Sequence, residues 1–153
     1  MIEIIAVLIV LFIFSAVVLS TYKTITNNKV MEEVDGLKSN FYFAQIKALS
    51  NADDSSTWGI SFTSGSSSYR LVNPGGTISP VYLPSEGGSN PSIHNLPSGM
   101  TITGSVVNFD KWGRPLDGSG NLMTGDTMIT LTSGTDTSKF NVSKNTGFIY
   151  DVP

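Results

Sequence analysis

Oxygen-bearing side chains alternate along one short stretch of the chain, in a spacing that could coordinate a cation. Asp117, Ser119 and Asn121 stand at alternate positions, as ligands do at the start of a calcium-binding loop. Such a loop needs a glycine at its sixth position and a glutamate at its twelfth, whereas this chain has leucine and methionine there. The pattern therefore favours a plain turn. If the stretch does bind calcium, Asp126 is the additional ligand that we expect.

Other catalytic or metal-binding chemistry has few candidates. The chain has no cysteine and a single histidine, His94, in a proline-rich stretch, which argues against a zinc site, a thiolate nucleophile or a Ser-His dyad. The net charge is -3 and the cations are scattered, so the chain lacks the basic cluster typical of nucleic-acid binding. We expect a protein that is not an enzyme, needs no cofactor and does not bind nucleic acid.

One carboxylate stands in an unusual place. Glu3 precedes residues 4–19, in which Ser15 is the only polar residue. As a helix, residues 1–19 would span about 28 Å, close to the thickness of a bilayer's hydrocarbon core. A carboxylate near the N-terminal end of such a helix is costly in lipid unless it is paired. The first cation along the chain is Lys23, about five turns away. We therefore expect the partner of Glu3 on another molecule.

Two simple interpretations of residues 1–19 explain less. A secretory signal peptide would carry Lys or Arg before its apolar core and a small-x-small cleavage site after it, and this run has neither. A single-pass membrane anchor fits the hydropathy but gives no role to Glu3.

The run resembles the N-terminal helix of type IV pilins and type II secretion pseudopilins. In that family the mature chain begins with phenylalanine, has glutamate at its fifth position and continues in Ile, Leu, Val and Ala. Residues 1–7, MIEIIAV, match that segment from its third residue onward, which leaves open whether Met1 is itself the mature end in another register. The resemblance implies that subunits assemble through these residues: Met1, Glu3, Ile4, Ile5, Val7, Leu8, Leu11, Phe12 and Phe14.

The sequence divides the chain into three parts. Residues 1–28 form the hydrophobic transmembrane or filament-core helix, with a weak hinge at 20–28, where Ser, Thr and Asn have low helix propensity. Residues 29–52 form an amphipathic spine helix that ends near Asn51. Residues 53–153 form a β head, with a long loop at 73–100 that contains five prolines. The helical period in the spine gives one apolar stripe: Val30, Val34, Leu37, Phe41, Ala44 and Ala48.

The predicted fold class is α+β, with a long N-terminal α-helix whose hydrophobic half protrudes and whose second half packs against an antiparallel β-sheet head. Short runs of alternating residues separated by turns are typical of antiparallel sheets. Strands are predicted at 58–62, 69–72, 101–103, 105–109, 127–131, 139–142 and 147–150, with at most one more at 81–83. The first two should form a hairpin.

Parts of the head resemble the GspH/FimT group of pilin-like proteins. Residues 41–49, FYFAQIKAL, look like that group's late spine helix, and residues 107–115, VNFDKWGRP, look like its strand and tight turn. Residues 140–150 are similar to its closing hairpin.

The resemblance implies a structural subunit of a type IV pilus-like filament, held in the bacterial inner membrane before assembly and lying outside the cell afterwards. A prepilin peptidase, an assembly ATPase and an inner-membrane platform would serve it. Three alternatives stay open. They are a minor pseudopilin of a type II secretion system, a DNA-uptake minor pilin, which would need a basic stripe, and an anchored β-domain that never polymerises.

Overall fold

The computed structural model describes the backbone of residues 2–50, 57–73, 77–78, 82–84 and 92–152, and the side chains of these residues except 2–3, 18–27 and 77–78. This part of the chain contains one α-helix, α1 (Ile2–Ser50), followed by ten β-strands. The fold class is α+β, as predicted. The strands are β1 (Trp58–Ser61), β2 (Ser68–Asn73), β3 (Thr77–Ile78), β4 (Ile93–Asn95), β5 (Met100–Thr103), β6 (Val107–Phe109), β7 (Pro115–Leu116), β8 (Thr127–Ser133), β9 (Asp136–Val142) and β10 (Ile149–Asp151).

The helix α1 is continuous through the predicted hinge. Residues 20–28 are helical although their helix propensity is low, since no proline removes a backbone hydrogen bond there. The loosening predicted for these residues concerns the packed filament, so it stays a prediction. The helix ends at Ser50, next to the predicted end at Asn51, which lies outside the described residues.

The strands form two antiparallel sheets. The first has the order β3-β2-β1-β6-β7, with β4 also paired to β2, and the second has the order β10-β9-β8-β5. The predicted hairpin is confirmed, since β1 and β2 pair with Ile60 opposite Leu71. A bridge between Ser66 and Ile102 connects the two sheets.

The predicted long loop at residues 73–100 is partly regular. β3 pairs with one end of β2, and β4 pairs with the other end, where His94 lies opposite Tyr69. Leu83 and Leu96 are buried. Neither β3 nor β4 has the alternating pattern by which strands are recognised, so neither strand was predicted from the sequence. Of the strand considered at 81–83, residue 81 lies outside the described residues, and residues 82 and 83 are not in a strand.

The second half of α1 carries the core. All six residues of the predicted stripe are at most 2% exposed, which confirms the period read from the sequence. The ring of Phe41 meets that of Phe140 on β9 edge to face, with centroids 5.9 Å apart. Ile60 on β1 and Val107 on β6 complete the same cluster from the first sheet. Because each large apolar side chain contributes about 1.5–3 kcal/mol when buried, this stripe fixes the helix on both sheets.

A cation on α1 ties the helix to the last strand. Lys38 Nζ lies 2.5 Å from Asp151 Oδ1 and 3.3 Å from Asp35 Oδ1. Partial burial by itself would lower the pKa of Lys38, but the hydrogen bonds to Asp151 and Asp35 outweigh it, and the pKa is raised. The ammonium group therefore stays charged at neutral pH and holds β10 beside the helix.

The single histidine joins α1 to β4. His94 Nε2 lies 2.8 Å from Glu33 Oε2, and its ring stacks on Tyr69 with centroids 4.8 Å apart. The amide of Asn40 donates to the Tyr69 hydroxyl at 2.8 Å. Glu33 and Asn40 on the helix thus hold the paired strands β2 and β4. The structure therefore gives His94 a packing role.

Candidate assembly surface

The first half of α1 exposes apolar side chains along its described length. Between residues 4 and 17, the large apolar side chains are 50% (Val10) to 77% (Phe12) exposed. Seven of them were predicted for assembly: Ile4, Ile5, Val7, Leu8, Leu11, Phe12 and Phe14. The prediction omitted four equally exposed residues, because an all-apolar run offers no periodicity by which to choose among positions. These are Ile9, Val10, Ile13 and Val17.

These side chains point to every side of the helix. At about 100° per residue, Ile5, Leu11 and Val17 project about 120° apart around the axis, and each is 57–58% exposed. A helix with one apolar face can be covered by one neighbour, whereas a helix that is apolar all round must be surrounded. The arrangement therefore requires either several partners or lipid.

Removing this surface from water supplies a large driving force. Burying the exposed half of one such side chain is worth about 1 kcal/mol, hence on the order of 10 kcal/mol for the eleven exposed residues between Ile4 and Val17. Association itself costs an estimated 4–15 kcal/mol. A single neighbour would bury only part of this surface and would supply only part of that free energy. Contact with several helices at once therefore offsets the cost of association better.

Two predicted assembly residues lie outside what the structure describes. They are Met1 and the side chain of Glu3, whose backbone belongs to α1. The pairing of Glu3 with another molecule stays a prediction. Over the side chains that are described, no helical stretch is both long and apolar enough to cross a membrane.

The structure divides the four candidate calcium ligands between two hydrogen-bonded groups. Asp117 Oδ1 accepts the backbone N–H groups of Asn121 and Ser119, both at 2.9 Å, and these bonds, that of Asn121 first, lower the pKa of Asp117. This group is the plain turn that the sequence favours. Asp126 belongs to the other group, with Lys144 and Tyr150. Across the described residues, no three His, Cys, Asp or Glu side chains come together as metal ligands would.

The carboxylate of Asp126 connects the segment before β8 with β10 and with the turn that follows β9. Its Oδ1 accepts the backbone N–H of Lys144 at 3.0 Å, and its Oδ2 accepts the hydroxyl of Tyr150 at 2.7 Å. The hydrogen bond from Lys144, followed by that from Tyr150, lowers the pKa of Asp126. Reciprocally, the bond to Asp126 raises the pKa of Tyr150. The group is a structural link between β10 and the segment before β8.

The substitution Asp126→Asn should bring the pKa of Tyr150 back toward its ordinary value of 10.0, because the neutral amide no longer favours the protonated phenol. Tyrosinate absorbance during an alkaline titration measures this. In the wild type, the contribution of Asp126 to stability is present above its ordinary pKa of 3.8 and is lost as pH falls through its lower folded value. Asp136→Asn, which alters a partly buried carboxylate at the start of β9, should leave the tyrosine titration and the pH dependence of stability unchanged. If both variants titrate alike, the hydrogen bond to Tyr150 does not operate in solution.

One carboxylate holds the tight turn that was predicted within residues 107–115. Asp110 Oδ1 accepts the backbone N–H groups of Trp112 and Arg114, and its Oδ2 accepts the Arg114 guanidinium at 2.7–2.8 Å. Gly113 occupies a left-handed conformation with φ of 74°, which glycine adopts without strain. The indole of Trp112 on this turn is 63% exposed. Lys111 Nζ and the Arg114 guanidinium carbon lie 4.7 and 4.6 Å from its ring centroid.

Comparison with known proteins adds no identification. Protein-family models, curated proteins and solved structures all give no match. The chemistry of the chain's own surfaces therefore carries the functional argument, and the largest of those surfaces is the apolar first half of α1.

Proposed function

We propose that this protein is a structural subunit of a pilus-like extracellular filament, and that it polymerises through its N-terminal helix. The first half of α1 protrudes and becomes buried among neighbouring copies, while the second half is packed against the antiparallel head. The protein acts by assembly and not by catalysis. The resemblance to pilins noted from residues 1–19 supports the same assignment.

One observation carries the proposal, namely the contrast between the two halves of one continuous helix. Core residues of the second half, such as Leu37 and Phe41, are fully buried in the chain's own head. Large apolar residues of the first half are at least 50% exposed on all sides. No described part of the chain covers them, so other molecules must.

The same surface fits two successive environments. Before assembly, the bilayer would surround residues 1–19, whose length as a helix matches the hydrocarbon core. In the filament, helices of other copies would replace the lipid, and Glu3 would be neutralised by a cation of an adjacent subunit. Processing and assembly would require a prepilin peptidase, an assembly ATPase and an inner-membrane platform, as the family resemblance implies.

A single-cysteine variant tests this burial, because the natural chain has no cysteine. Val10→Cys should react much more slowly with a polar maleimide in sheared filaments than an equally exposed cysteine on the head does. A packed interface excludes solvent as a protein interior does, so we expect a difference of about tenfold or more in labelling rate.

The matched control is Leu122→Cys. Leu122 is 51% exposed on the head, close to the 50% of Val10, and its cysteine variant should label rapidly in the same filaments. Rapid labelling of Val10→Cys in sheared filaments would show that this part of the helix is not their core.

A further inference from the structure

A second apolar surface lies on α1 where the helix passes the head. Tyr42, Ile46 and Leu49 are 39%, 62% and 50% exposed. Their spacing of four and three residues places them on one face of the helix. That face is distinct from the one that carries Phe41 and Ala48 into the core.

Two turns of the head border this face. Gln45 Nε2 donates to the carbonyl oxygens of Gly113 at 2.8 Å and Thr146 at 2.9 Å, which fixes both turns on the helix. A Cβ on Gly113 would lie 3.3 Å from Leu49, so the first turn touches the exposed face directly. Each turn carries one exposed aromatic ring, Trp112 on the first turn and Phe148 on the second, and both are about 60% exposed. The outer patch is defined by five residues: Tyr42, Ile46, Leu49, Trp112 and Phe148.

The outer patch lies in line with part of the first-half surface. Val10 and Ile46 are 36 residues apart, as are Ile13 and Leu49, and 36 residues make ten turns at 3.6 residues per turn. Because α1 is unbroken, ideal helix geometry places the two members of each pair at about the same angle around the helix axis. Met31, which is 62% exposed, lies five turns from both Ile13 and Leu49. The outer patch and part of the first-half surface therefore face a similar side of α1, separated by a polar stretch that includes Asp35 and Lys38.

The size of the outer patch decides what kind of contact it makes. An aromatic side chain buries 150–250 Å², so five large side chains that are about half exposed offer roughly 500 Å². A stable pair of proteins buries about 800 Å² on each partner. The outer patch is therefore too small to hold a dimer by itself, and it suits an added contact within an assembly that is held together elsewhere.

We propose that the outer patch is the docking site for the apolar first half of α1 of a second copy. This inference rests on the proposed function and names the partner surface within it. The two surfaces are different, so the contact is heterologous, and a heterologous contact that does not close into a ring repeats into an open helical polymer. The first half of α1 needs several neighbours, and the outer patch supplies one of them. For parallel helices, docking of residues 10–13 beside residues 46–49 implies an axial stagger of about 54 Å.

The test is Ile46→Cys in the full-length, otherwise cysteine-free chain, labelled with a polar maleimide in sheared filaments and after dissociation in detergent. Ile46 makes no polar contact of its own, so the variant should fold normally. Its labelling should slow by about tenfold or more in the filament, because solvent is excluded from a packed interface. Leu122→Cys should label equally in both states.

Three results separate the inference from the function on which it rests. Protection of both Val10→Cys and Ile46→Cys supports both. Protection of Val10→Cys alone overturns the docking site and leaves the filament proposal standing. Rapid labelling of Val10→Cys overturns the proposed function itself.

A charge variant gives an independent readout. Ile46→Glu should lower the temperature at which filaments dissociate without changing the unfolding of the detergent-solubilised subunit. The matched variant Leu122→Glu should change neither. Equal dissociation temperatures for the two variants would contradict the docking site.

Discussion

Replacing Phe41 with alanine is expected to lower the free energy of unfolding by about 3–5 kcal/mol. Phe41 is fully buried at the junction of α1 with both sheets, and its ring contacts Phe140 edge to face. Truncation removes the buried ring and leaves a cavity that the surrounding sheets cannot fill. Because a domain of this size is stable by only about 5–15 kcal/mol, the variant should be largely unfolded at mild urea concentrations.

Urea unfolding of the full chain in a mild detergent, followed by the fluorescence of buried Trp58, measures this loss. Ile46→Ala on the same helix is the control, since Ile46 is 62% exposed and should change stability by less than about 0.5 kcal/mol. If both variants lose the same stability, the stripe from Val30 to Ala48 is not the contact that holds the helix on the head.

Replacing Glu3 with leucine should reduce the number of filaments at least about tenfold while membrane insertion is unchanged or improved. A carboxylate among apolar helices costs several kcal/mol unless it is paired, and losing one partner of a buried pair costs about 3–5 kcal/mol. In the pilin family the equivalent carboxylate is thought to meet the terminal amine of an adjacent subunit. Leucine would remove the proposed pairing and makes the helix more apolar, so insertion and assembly should respond in opposite directions.

Filament counts by electron microscopy, with membrane levels checked by immunoblot, give the result. Glu32→Gln is the matched control, because Glu32 is an exposed carboxylate on the same helix, and it should leave filament number unchanged. Cells that also express the wild-type chain should lose only part of their filaments, since each wild-type subunit still offers its own carboxylate. Normal filament number with Glu3→Leu would remove the reason to give this carboxylate a role in assembly.

Helical periodicity predicted the core of the helix correctly because burial there follows from local spacing alone. Every residue of the stripe from Val30 to Ala48 is buried. The longer strands were also located, since the runs around β1, β2, β8 and β9 alternate or are rich in β-branched residues.

The shortest strands escaped prediction because they depend on neighbours distant in sequence. β7 has two residues, one of them Pro115, and exists as a strand through its pairing with β6. β4 pairs with β2, and its His94 meets Glu33 across 61 positions of the chain. No local sequence pattern encodes such long-range contacts, so β4 and β7 could be located only in the three-dimensional structure.

The candidate assembly surface was predictable in composition but not in extent. Hydropathy identified the apolar first half of α1, and the exposed positions on that half agree with it. The outer patch combines helix positions such as Ile46 with Trp112 and Phe148 from separate turns. Its members share no sequence pattern, and the hydrogen bonds of Gln45 bring these turns to the helix.

Whether the chain forms filaments at all is tested most directly on material sheared from the surface of cells that make it. Electron microscopy of that fraction, with mass spectrometry of its main protein band and immunogold labelling against the head, should reveal thin filaments built of this chain. Deletion of the coding sequence should abolish them. A sheared fraction that lacks such filaments, or contains filaments of another protein, while this chain is found only in the membrane pellet, would contradict the proposed filament.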